Sequence, residues 1–358
     1  MTVAPSNPSP PRSLRALPKA HLHLHVDGGY PIAAVRALAA RRGHPFAVPA
    51  SFAGVPDFFS AYGTVPPLVE DHEDLAALCR ALVAAEAAEG VLYLEPAIEP
   101  QLYADRLGGL EQVTRTMLTA FAESSADEDI QVGAMVTINT DADAELADDL
   151  ARVAASFAGA GVTALGTACF DEDADLEPFA SAAVLARAVG LPVVSHAGQT
   201  GGPGRIEAVL DVLGATRISH GIRAVESPVL LDRLADEGVV LDVCPTSNVR
   251  LGLVSDLAMH PAPSLLAAGV AVTLNADDPL WFGASVTDQY ETARTVWGFD
   301  DAMIAAVAAN GLLASGLSDA TRARFELALG DWIAAGTGTG TEDDSNSNSN
   351  DSARRASA

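Results

Sequence analysis

The chain is short of several things, and each shortage removes a class of protein. It has three cysteines, Cys79, Cys169 and Cys244, far apart in 358 residues. No CxxC pair occurs, so neither a disulfide framework nor a thiolate zinc site is expected, and the three read as reduced core cysteines. Basic residues number 21 against 47 acidic ones, a formal net charge of −26. Nucleic acid and anionic membrane surfaces both require a basic footprint, so neither is an expected partner. No apolar run reaches the length of a membrane span. The opening MTVAPSNPSPPRSLRALPKA carries prolines where a signal peptide has its apolar core. The expectation is a soluble, cytoplasmic protein acting on a small molecule, with no sign of its oligomeric state.

What is present suffices for a large core: 49% of residues are hydrophobic, a globular composition. Both ends are low-complexity. Residues 1–15 are rich in Pro and Ser, and 336–358 read GTGTGTEDDSNSNSNDSARRASA. Neither can bury enough surface to offset its ordering entropy, so both are expected to be disordered. No such linker interrupts residues 16–335, which argues for one domain.

Within that span short apolar runs alternate with longer segments of helical period. The strand candidates are 20–26, 91–98, 130–138, 162–170, 191–198, 216–221, 239–245 and 270–277. Eight alternating β and α units in one α/β domain predict a closed (β/α)8 TIM-type barrel. An open doubly wound sheet is the alternative, but no GxGxxG turn follows the first strand. Residues 30–72 are too long for one crossover helix and contain Phe52, Phe58, Phe59 and Tyr62. They read as extra lid helices over the barrel mouth, or as a further packing layer.

The polar residues fall in one place. His23 and His25, at i and i+2, share a face of the first strand. His196 ends the fifth strand, His220 the sixth, and Asp277–Asp278 the eighth. In a barrel of this kind chemistry is built from the C-terminal ends of several strands. Imidazole and carboxylate ligands suit zinc, with iron or manganese as alternatives. Three histidines and an aspartate leave a coordination position for water, whose pKa a divalent metal lowers to about 7. His21 reads as a support for that set. His44, His72 and His260 read as solvated residues without partners.

LPKAHLHLHVDGG, SHAGQT, RISHGI, LDVCPTSNVRLG and VTLNADDPLWFG resemble, in order, the successive motifs of the adenosine deaminase family of metal-dependent amidohydrolases. NGLLASGLSDATRARF (310–325) resembles its closing helical segment. The resemblance implies one divalent metal, zinc by preference, on His23, His25, His196 and Asp277. It implies that His220 orients and deprotonates the attacking water, and that Asp278 accepts a proton or contacts the substrate ring. Asp27 matches the position near the ribose hydroxyls, and Ser247 and Asn248 would shape the loop beside the substrate. The other zinc deaminase type uses HxE with PCxxC, and neither occurs here.

Three positions depart from the family pattern. Gln199 stands where a glutamate protonates the ring nitrogen, and losing a general acid costs typically 10²–10⁴-fold in rate. Asp171 stands where a glycine amide meets the purine, and Ala97 where arginine is common. A complete metal set with altered substrate-facing positions points to a hydrolase of an amino-substituted N-heterocycle, purine nucleoside-like, other than adenosine. A slow adenosine deaminase and a non-catalytic zinc protein binding a nucleoside-like ligand are the alternatives.

Overall fold

A computed structural model describes residues 12–168, 174–313 and 316–335. Eight parallel strands follow one another round a barrel, each paired with the next in sequence. They are β1 (Lys19–His25), β2 (Val91–Ile98), β3 (Ala134–Asn139), β4 (Val162–Ala168), β5 (Val193–Ala197), β6 (Arg217–His220), β7 (Val240–Val243) and β8 (Ala271–Leu274). This is the expected (β/α)8 barrel. The run read as one third strand is broken: a two-residue piece, Gln131–Val132, precedes Gly133 and then β3. A Cβ at Gly133 would lie 2.6 Å from Thr163 and 2.8 Å from the Tyr93 hydroxyl, so only glycine fits there.

The helices start where sequence chemistry directs. Asp71 caps His72–Ala88 by accepting from the Asp74 amide, and Ser227 caps Pro228–Glu237 by accepting from Leu230. Their apolar faces pack on the barrel; Leu75, Leu78, Leu82 and Val83 of the first are buried. The barrel interior is not wholly apolar. Arg217 on β6 is buried between Glu95 of β2 and Asp242 of β7, with its Nε 2.7 Å from Asp242. Thr273 donates to Asp242, and Tyr93 and Thr163 both donate to Glu95. One step nearer the mouth, Ala97, Met135, Ala164 and Val194 form a small apolar layer. Position 97 therefore belongs to the interior packing and does not line the cavity above.

The seam between β8 and β1 is laced rather than fully laddered. Asn275 Oδ1 accepts from the amides of Leu22 and His23 at 2.8 and 3.1 Å. Asp277 exchanges two backbone hydrogen bonds with β1: its amide donates to His23 O and its carbonyl accepts from His25 N, both at 3.1 Å.

The segment after β1 does form extra helices, Ile32–Arg41 and Val55–Tyr62. Phe58 of the second stacks on Phe282 with ring centroids 5.1 Å apart, which ties it to the far side of the mouth. The disorder expected for residues 1–15 does not extend to 12–15. Arg12 pairs with Asp301 and lies over the Trp332 ring, and Leu14 is buried. Residues 1–11 and 336–358 lie outside the described residues. Cys79 and Cys244 are buried and free, and Cys169 lies outside the described residues. No helix among the described residues is long and apolar enough to cross a membrane.

Candidate active site

The first strand ends in KAHLHLH, all buried, so alternation sends both His23 and His25 into the barrel at its C-terminal end. His196 arrives from β5, His220 from the end of β6 and Asp277 just beyond β8. His220 and Asp277 have φ of 71° and 63°, in the left-handed region that residues with a Cβ rarely adopt. Such strain persists where surroundings over-determine it. Here the seam hydrogen bonds hold Asp277, and His21, bonded to Glu86 at 2.7 Å, accepts from the adjacent Ala276 amide. His21 is thus a support for the ligand turn, as expected.

The imidazoles are oriented by backbone carbonyls. His23 Nδ1 donates to Asp242 O at 3.1 Å and His196 Nδ1 to Thr167 O at 2.8 Å, which sends each Nε2 toward the centre. The central atoms crowd one another. His25 Nε2 lies 3.2 Å from His196 Nε2, His23 Nε2 lies 3.2 Å from Asp277 Oδ1, and His25 Nε2 lies 3.7 Å from the same oxygen. The edge of a tetrahedron with metal–nitrogen bonds of about 2.05 Å is about 3.3 Å. Buried His23 Nε2 has no hydrogen-bond partner among the described residues. The four residues fit a divalent cation. Among the described residues, the groups whose ligand atoms all lie within 4.8 Å of one another are His23, His196 and His220, and His23, Cys244 and Asp277. Cys244 is the poorer ligand, because burial holds its thiol well above the usual range and so in the protonated form.

Burial lowers the proton affinity of His25 and His196, with His23 adding to the effect at His196, and it pushes His220 down to about 3. All three are neutral, as ligands and hydrogen-bonding groups here must be. At Asp277 burial is the largest single effect and would raise the carboxyl, but His23, His220 and His25 together outweigh it and hold the group well below the usual range. Asp278 goes the other way: burial and the adjacent Asp277 charge raise it well above. Neighbouring carboxyls with divergent affinities mark an ionised ligand and a proton-holding partner.

Above this floor lies a cavity of about 330 Å³. His25, His196, Gln199, His220, Asp277 and Asp278 line its base, and Val55, Phe58, Phe59, Pro66, Leu102 and Leu251 its outer wall. Other expected site residues lie elsewhere. Asp27 is buried, accepts from the Tyr103 hydroxyl and does not reach the cavity. Ser247 donates to Asp277 Oδ2 at 2.6 Å, behind the ligand rather than toward a substrate. Asn248 lies between His220 and His260, also behind the wall. Asp171 lies outside the described residues. The reading of His72 and His260 as solvated fails. His72 bonds Thr116 at 2.8 Å, and His260 is buried against Trp297. His44 is exposed.

Sequence reasoning missed the polar cavity residues Arg106 and Asn139 and, of most consequence, Glu99. It is buried in the wall and accepts from the Tyr62 hydroxyl at 2.6 Å through Oε2. The signal was available. Glu99 is an acid one residue past the C-terminal end of β2, the position that singled out His196 and His220.

The adenosine deaminase family profile matches residues 18–329. The chain belongs to the adenosine deaminase family. It is 36% identical to an adenine deaminase of Chelativorans sp. (strain BNC1) over 85% of this chain and 95% of that one. It is 33% identical to a putative adenosine/adenine deaminase of Streptomyces coelicolor, over 90% and 99%. The crystal structure of adenine deaminase from Arthrobacter aurescens superposes with a TM-score of 0.81 at 30% identity, over 88% and 99%. The chain is thus a hydrolase acting on C–N bonds, of the deaminase kind.

Proposed function

We propose that the protein is a metal-dependent deaminase of a free amino-purine base or a comparably flat amino-heterocycle, and that adenosine is a poor substrate. The observation that carries this is the make-up of the cavity: a metal-competent base beneath a mostly apolar outer wall that lacks Asp27. Asp27, the residue that resemblance assigns to ribose hydroxyls, is bonded to Tyr103 outside the cavity. The described outer wall is mostly apolar side chains. Besides Asn139, Tyr62 and Arg106, which donates to the carbonyls of Pro66, Val69 and Leu102, its polar member is Glu99. With Oε2 held by Tyr62, its Oε1 has no hydrogen-bond partner among the described residues and suits an N–H donor such as a free ring nitrogen bears. Relatives named as adenine deaminases act, by their names, on such a base.

A divalent cation on His23, His25, His196 and Asp277, zinc by preference, supplies Lewis-acid activation of water when bound. The chain's own groups do the rest. Ser247 fixes the free oxygen of Asp277, so that its other oxygen faces the ligands. His220 and Asp278 flank the place where water meets the substrate carbon and manage its hydrogen bonds and proton. Gln199 holds the ring by amide hydrogen bonds and delivers no proton. A substrate that is readily protonated from solvent, or already protonated, tolerates that.

The test is turnover of adenine, adenosine and AMP by protein purified with about one divalent ion per chain. Adenine should exceed adenosine by about 10²-fold or more in kcat/KM. Gln199→Glu should help adenosine little and slow the better substrate. A wild-type kcat/KM on adenosine above about 10⁵ M⁻¹s⁻¹ overturns the substrate assignment, and the absence of stoichiometric metal overturns the site assignment. A gain on adenosine of about 10²-fold from Gln199→Glu would make the chain a slowed adenosine deaminase.

A further inference from the structure

Behind the cavity wall a chain of hydrogen bonds runs from the backbone to His220, and its direction can be worked out from one end. The Ala262 amide donates to His260 Nδ1 at 3.1 Å. A backbone N–H can only donate, so His260 Nδ1 is the acceptor. The ring is buried, stacks on Trp297 with planes 25° apart, and burial lowers its proton affinity to about 4. Neutral His260 therefore carries its proton on Nε2, which lies 3.0 Å from the Asn248 amide oxygen. The side-chain amide is fixed in turn: oxygen toward His260, NH2 toward His220, whose Nδ1 is 3.4 Å away. An amide NH2 facing that nitrogen leaves it no proton of its own.

We propose that His260 and Asn248 are positioning residues that set the tautomer of His220, with its proton on Nε2. That nitrogen faces the cavity side, 3.7 Å from Asp277 Oδ2. On the reading that His220 works at the attacking water, on which this inference rests, His220 donates a hydrogen bond to the oxygen and does not take its proton. The role of base that resemblance gave to His220 does not fit this tautomer. Neither His260 nor Asn248 touches the cavity, so their effect reaches the reaction only through the ring they orient.

The experiment is imidazole 15N NMR on the metal-free, full-length protein, with histidines assigned by single substitutions. His220 and His260 should each show a protonated Nε2 and an unprotonated Nδ1. Asn248→Asp keeps the shape but offers only acceptors, so it should move the His220 proton to Nδ1. In the metal-loaded enzyme with adenine as probe, the same variant should lower kcat by about 10²-fold or more with KM little changed. A wild-type His220 protonated on Nδ1 overturns the proposal, and so does an Asn248→Asp tautomer identical to wild type. If Asn248→Asp does not fold, the wild-type spectrum alone decides. If adenine is not turned over, the proposed function fails while the spectrum still tests the tautomer.

Discussion

Gly28 offers a way to displace one carboxylate without changing it. It lies in the short turn of helix Val26–Gly29 that follows β1, against the Asp278 side chain. A Cβ built there would stand 1.7 Å from Asp278 Oδ1, 2.5 Å from its Cγ and 2.7 Å from its Cβ. Relief requires the carboxylate to move by roughly 1.5 Å or more to restore ordinary contact. Misplacing a reacting group by about 1 Å can cost about 10²-fold, so Gly28→Ala should lower kcat on adenine by that factor or more. Overpacking should also cost about 1–3 kcal/mol of stability, a few degrees in Tm for a domain of this size. Bound metal should stay at the wild-type level, because Asp278 is not among the four proposed ligands. Gly204→Ala, with nothing within 4 Å of the added methyl, is the control: the rate should not change, and Tm should stay or rise slightly because alanine suits this helix better than glycine. The assays are steady-state kinetics, thermal unfolding and elemental analysis on the same preparations. A Gly28→Ala protein with wild-type kcat would refute the placement of Asp278 at the reacting centre.

Arg217→Ala would leave the buried carboxylates of Glu95 and Asp242 facing each other without a cation. It should cost about 3–5 kcal/mol in denaturant unfolding, and a cost under about 1 kcal/mol would show that the interior carboxyls had already been neutral. Asp74 is more burdened by desolvation than by any other single effect. Hydrogen bonds from Arg42, the Glu70 amide and Arg41 together outweigh it and hold the carboxyl below its ordinary 3.8. A group lowered on folding stabilises fully above its unfolded value and loses that contribution as pH falls through the folded one. Asp74→Asn should therefore lower Tm near pH 7, by about 1 kcal/mol or so of stability. The gap from wild type should close as pH drops below about 4; a gap independent of pH would remove the ionic account.

The barrel was legible because each strand is a short apolar run of the right length, and all eight recur near their expected positions. The convergence of His23 and His25 was legible because i, i+2 spacing on β1 settles a shared face before any tertiary contact is known. What escaped depends on packing between distant segments. The role of His260 requires Asn248, Ala262 and Trp297 to meet, and no local pattern announces that. Ser247 and Asn248 sit in a loop beside the cavity, so adjacency in sequence placed them at the substrate. The short helix Pro245–Arg250 turns both side chains to the back of the site. Asp27 was misplaced for a similar reason: the chain enters a helical turn at Val26, and strand alternation no longer says where its side chain points.

The lacing of β8 to β1 has a bearing on how the protein comes apart. Three of the four side chains proposed to hold a cation belong to residues on the two sides of that seam: His23 and His25 on one, Asp277 on the other. Occupancy by a cation and closure of the cylinder are thus a single thermodynamic event, since a ligand that binds only the closed form stabilises it by mass action. Chelation should be felt first as faster amide exchange at His25 and Asp277, well before the helices or the opposite strands loosen, and only later as a lower melting temperature. Cells starved of the metal would hold a protein whose weakest line runs through its own reaction centre.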